Sequence, residues 1–269
     1  MQELLNHPAV QAGLVPFFAG LAVAAGLFFV RLSGFAAIAG FAAAVWLIGN
    51  FGLEPLTASR KIVVVGGVAA LAGFFADAAF QPTRATNPAL GALFGAIALW
   101  VFWSVLGQKS LQQGLLYGAG TLVFVAWVVA FTVSLQGDAV RAGAAGLGLG
   151  LGAGIGAILA ASALLGQYGL ATGAASGGFL LAAMIFAGRV FAGAAFTLSV
   201  SVLGALVAAG AMFLAQLPWY SLAVLALVPL AARLPLPRTA AWLQAVCASF
   251  YTLAVAGGAC FLAWHASRG

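Results

Sequence analysis

Apolar runs too long for any soluble core dominate this chain. From Leu170 to Gln216 the sequence carries a single charge, Arg189, and that stretch exceeds the about 20 residues of one helical crossing of a bilayer, even a tilted one. Comparable runs, interrupted only by Pro, Gly, amide or charged residues, fill the rest of the sequence. They are apolar on every face and lack the alternating polarity of a membrane β-strand. Charged residues are 5% and hydrophobic residues 65% of the 269, against about 25% and 45–50% in ordinary globular chains. Such a composition cannot cover a water-facing surface. The fold class it predicts is all-α: a polytopic helical bundle integral to a membrane and in contact with its lipids, with short loops.

The punctuation predicts ten transmembrane helices, with eight as the lower bound, at 10–30, 35–50, 61–80, 88–106, 111–135, 141–165, 170–188, 191–216, 218–233 and 238–265. The seventh and eighth are split at Gly188-Arg189, the one strong polar break in the longest run. The chain reads as a single domain, 1–269, whose midpoint near Gln136 divides the helices five and five into halves 1–136 and 137–269. Inverted-repeat transporters use that layout. In helix number it resembles the drug/metabolite-transporter superfamily of small ten-helix carriers, a resemblance that implies a carrier and rests on no shared motif.

The formal charge is +6, from 10 Lys+Arg against 4 Asp+Glu. The cations are scattered singly at helix ends, the pattern of topology signals and anionic lipid head groups, so nucleic acid is not an expected partner. Loops after the odd-numbered helices hold Arg31, Arg84, Arg141, Arg189, Arg233 and Arg238, against Arg60, Lys61, Lys109 and Arg268 on the other side. The positive-inside rule then places both termini outside the cytoplasm, and a bacterial inner membrane is the expected location. Met1 to Ala9 contain no Lys or Arg, so the first run reads as a retained helix and not as a cleaved signal. Cys247 and Cys260 fall about 20 Å apart along one helix, too far to bridge each other.

The strongest local pattern is a glycine ladder in the sixth helix, where Gly146, Gly148, Gly150, Gly152, Gly154 and Gly156 alternate with Leu147, Leu149, Leu151, Ala153 and Ile155. At 100° per residue, Gly146, Gly150 and Gly154 form one small-residue ridge, and Gly148, Gly152 and Gly156 form another on the far side. Neighbours can approach such a helix closely from both sides, which predicts a place inside a bundle or ring. The spacing is similar to that of the Gly-rich first helix of rotary ATP-synthase c-subunits. The following helix lacks that family's ion-carrying carboxylate, so only packing carries over.

Several chemistries are excluded. His7 and His265 are the only histidines and both lie near the termini, which leaves no axial ligand pair for haem and no zinc or copper ligand set inside the membrane. Lys61 and Lys109 fall at helix ends, so no mid-membrane amine is present for a Schiff base. Gly173-Ala174-Ala175-Ser176-Gly177-Gly178 with His265 resembles the Ser–His dyad of rhomboid proteases, but Ala174 stands at the first position of the Gly-x-Ser-Gly motif. No cofactor, metal or catalytic residue is expected. Apolar grooves between helices still suit a quinone or a lipid.

Intramembrane charge is costly enough to be a functional hypothesis by default. Asp77 falls about 24 Å along the third helix from Lys61, among Phe74, Phe75 and Phe80. It reads either as a surface carboxylate paired with Arg84 or as a proton or cation coupling site. Arg189 reads as a snorkelling loop residue or, if its helix continues, as a buried cation whose natural partner is Asp77. Glu54, Arg60 and Lys61 make the most polar loop and the best place for a partner protein to dock. Asn50, Gln112, Gln113 and Thr121 are uncharged and can be satisfied by backbone. Two functions follow as expectations: a small secondary transporter or permease for a small neutral or amphipathic solute, with Asp77 as the coupling group, or a non-catalytic membrane subunit or assembly factor of a larger complex.

Overall fold

The computed structural model describes residues 7–48, 54–79, 86–186, 189–237 and 240–268. Within them lie ten apolar helices: α1 (Val10–Gly26), α2 (Ser33–Ile48), α3 (Ala58–Ala79), α4 (Thr86–Leu106), α5 (Leu111–Val133), α6 (Ala139–Leu159), α7 (Ala163–Ile185), α8 (Gly193–Ala215), α9 (Trp219–Ala231) and α10 (Ala241–Ala266). Seven are long and apolar enough to cross a membrane, and α1, α2 and α9 are shorter. Among the described residues there is no strand, as a bilayer demands of a backbone that must satisfy its own hydrogen bonds.

Local chemistry sets the ends. Ser110 caps α5 by accepting from the Gln113 N–H at 3.4 Å, and Asp138 caps α6 by accepting from the Arg141 N–H at 3.1 Å. Pro16 has no N–H to give, and α1 absorbs it by opening with a wider π turn over Val10–Leu14. Pro229 acts likewise in α9, which divides into Trp219–Leu225 and Val228–Ala231 just ahead of it.

One boundary differs from the expectation. The sixth helix ends at Leu159, not near 165, and α7 begins at Ala163, not 170. Ala161 takes the left-handed conformation (φ 65°), the Ser162 N–H bonds the Ala157 carbonyl at 2.8 Å, and the Ala161 N–H bonds that of Ile158 at 2.9 Å. This Schellman ending normally uses glycine. With alanine in that position, and no Pro, Gly or charge within four residues, the one mark in the sequence is Ser162, which takes the N-cap position of α7 without a side-chain bond. The break at Arg189 is where it was expected, between α7 and α8.

The buried centre is α8, whose residues from Gly193 to Ala211 are all enclosed, with α3, α5, α6 and α7 packed around it. Both glycine ridges of α6 are filled by the chain's own helices. Toward α7, a Cβ on Gly146 would stand 2.6 Å from Ser176 Oγ and one on Gly154 2.6 Å from the Leu170 nitrogen, while one on Gly150 would overlap the Gly173 backbone. On the opposite ridge, a Cβ on Gly148 would reach 2.8 Å from Thr252 Cβ in α10, and one on Gly152 2.6 Å from Leu225 Cδ2 in α9. Gly156 is the loosest rung, its nearest neighbour being Leu217 at 3.6 Å. In lipid, close packing of this kind and not hydrophobic burial holds helices together.

Within the first five helices α1 packs on α2 and α4 on α5, and within the last five α6 packs on α7 and α9 on α10. The α2–α7 and α3–α8 contacts join the two groups.

Candidate functional site

At one end of the bundle, α8 begins against α3. Gly193 has φ 63°, and a Cβ there would collide with the Asp77 carboxylate, so the position excludes other residues on two counts. Gly73 lies one turn before Asp77 on the same face of α3. A Cβ on it would stand 2.5 Å from the Ala194 oxygen and the Ala195 Cα. This close approach carries Asp77 to the start of α8. Its Oδ1 accepts from the Ala194 N–H at 2.8 Å and its Oδ2 from the Ala195 N–H at 3.1 Å, while the Gly193 N–H donates to the Gln136 carbonyl at 3.2 Å. The first three amides of the central helix, which have no partner within it, are thus held from two other elements, and the carboxylate sits at the positive end of the helix dipole.

Asp77 forms a wall shared by two cavities. One, of about 370 Å³, lies between α3, α4 and α8 and is lined by Phe75, Asp77, Asn87, Leu90 and Gln136 among others. Asn87 Oδ1 and Gln136 Oε1 are buried behind its wall without a hydrogen-bond partner. The second, of about 220 Å³, lies toward the α1–α2 turn and is lined by Arg31, Phe35, Phe74, Asp77 and Phe191. Ser33 fixes that side, donating through Oγ to the Phe191 carbonyl at 2.6 Å and accepting from the Phe191 N–H at 3.2 Å. The lining of the larger cavity is almost wholly apolar, with Asp77 at its edge, so it suits an apolar or amphipathic guest.

The structure does not bring Arg189 to Asp77. Arg189 is exposed in the α7–α8 connection, its backbone N–H on the Phe186 carbonyl at 3.0 Å. Arg84, the alternative partner, and Asn50 lie outside the described residues. In the polar loop, Arg60 donates to the Pro55 carbonyl at 2.9 Å, and Lys61 reaches the Trp100 carbonyl at 3.3 Å with its ammonium 4.6 Å from the Trp100 ring centre. Glu54 is exposed. The glycines of α6 line none of the cavities described and serve as packing surface. Ser176 is buried in α7 and donates to the Thr172 carbonyl at 2.8 Å, while His265 is exposed near the end of α10.

The sequence singles out Asp77 and does not single out Gly73, Asn87, Gln136 or Gly193, which stand beside it. Two signals were present: a glycine one turn before the acid, and amides at the ends of otherwise apolar runs.

Comparison of the chain with protein families, curated proteins and solved structures finds no match. The fold and composition define the class: an integral membrane protein built as a bundle of apolar helices.

Proposed function

We propose that the protein is a small secondary permease for a small neutral or amphipathic solute, with Asp77 as its coupling group. The observation that carries this reading is the larger cavity at the α3–α8 junction, where a carboxylate from the first five helices meets the start of the central helix of the last five. The cavity's apolar walls beside a single carboxylate match a solute that is neutral or amphipathic. A solute bound there would couple directly to the contact between the two groups of helices, the arrangement alternating access needs. One carboxylate, half offset by a helix N-terminus, suits a solute with little net charge.

The alternative, a non-catalytic subunit of a larger complex, has less support. The smooth faces of α6 that would receive a partner are occupied by α7, α9 and α10, and the cations of the Glu54–Lys61 loop are engaged within the chain. Extraction from native membranes in a mild detergent, followed by mass measurement, separates the readings. A permease runs alone or as a small homo-oligomer, whereas stoichiometric copurifying subunits would overturn the proposal.

A further inference from the structure

A separate groove of about 830 Å³ opens on the lipid-facing side between α5 and α9, lined by Tyr117, Gly120, Phe124, Trp127, Trp219 and Leu227 among others. It is closed at one end. The Trp127 indole N–H of α5 donates to the Ala226 carbonyl of α9 at 3.1 Å, a bar across the floor. The Phe131 ring stacks beneath Trp127 at 4.2 Å, and the Arg233 guanidinium covers Phe131 at 4.7 Å. The other end is open and carries a cation, the Lys109 ammonium 5.2 Å from the Tyr117 ring centre. Lys109 is exposed and has no carboxylate partner among the described residues.

Three features fix the occupant. The lining is almost wholly apolar, and its Thr121 Oγ1 and Trp127 indole N–H are already used, on the Tyr117 carbonyl at 2.8 Å and on Ala226, so the body of the guest is apolar. From Leu116 to Trp127 the groove runs about 16 Å along α5, close to the half-thickness of a roughly 30 Å hydrocarbon core. A crossing helix of a partner would need the full thickness, whereas the acyl chain of one leaflet needs half. The unpaired cation at the open mouth then selects an anionic head group.

We propose that this groove holds the acyl chain of an anionic phospholipid from the leaflet on the Lys109 side, with its phosphate at the Lys109 ammonium. Gly120 sits where an added Cβ meets nothing within 4 Å, so Gly120→Trp fills the groove without disturbing the helix contacts.

The test is native mass spectrometry of the delipidated full-length protein with phosphatidylglycerol and phosphatidylcholine of identical chains, on the wild type, Lys109→Gln, Gly120→Trp and Arg233→Gln. The expected result is one retained phosphatidylglycerol, preferred about fivefold over phosphatidylcholine, the factor one surface cation confers. Lys109→Gln removes the preference but keeps the lipid, Gly120→Trp loses both lipids, and Arg233→Gln changes nothing. Equal retention of the two lipids by the wild type would overturn the proposal. So would retention undiminished by Gly120→Trp, dependence on Arg233 instead of Lys109, or a polypeptide held in the groove in place of lipid.

Discussion

Two glycine-built contacts in this protein have opposite outcomes. Where α6 meets α7, Gly150 and Gly154 bring backbone against backbone, and Gly146 receives the Ser176 hydroxyl, itself bonded to the Thr172 carbonyl. Where α3 meets α8, Gly73 lets the backbones touch at Ala194 and Ala195, Gly193 admits the Asp77 carboxylate, and cavities remain on both sides of it. Glycine sets the distance in both places, and the residue it admits decides whether the contact closes completely or leaves cavities.

Substitutions sharpen that contrast. The largest effect is expected at Gly150→Ala, whose Cβ overlaps the Gly173 backbone and can be accommodated only by moving a helix. A loss of about 3 kcal/mol should appear as a collapse of the monodisperse, heat-resistant fraction in detergent. Asp77→Ala removes the acceptor for two amides of α8 and should cost about 2 kcal/mol. Asp77→Asn, which keeps one acceptor oxygen, should recover about half of that in the same thermal assay. On the ladder's loosest rung the sign reverses. Gly156→Ala makes only ordinary contact with Leu217 at 3.6 Å and gains helix propensity, so a rise of up to about 0.8 kcal/mol is expected. Equal losses at Gly150 and Gly156 would break the comparison. Arg189→Gln, on an exposed connection, should stay within about 0.5 kcal/mol of the wild type; a large loss would mean that the cation has an internal partner.

The helices were legible because a bilayer leaves the backbone so few options: uninterrupted apolar runs and scarce polar breaks place eight of the nine boundaries between them. The α6–α7 turn was hidden because Ala161 does a glycine's work there. Asp77 stood out by the cost of its charge. Its partners did not, because backbone amides have no residue signature and become visible only when Gly73 is seen against Ala194 and Ala195 and Gly193 against the carboxylate. Asn87 and Gln136 gave only a weak signal for a related reason: an uncharged amide near a helix end is ordinary until the fold buries its oxygen.

The most direct test of the coupling role is solute-driven current in proteoliposomes, recorded for the wild type and Asp77→Asn across a panel of small neutral and amphipathic solutes. A permease working through the α3–α8 junction gives current with at least one solute in the wild type and none in the folded Asp77→Asn protein. Equal currents in the two would reduce Asp77 to a helix cap, and a wild type silent across the panel would contradict transport itself.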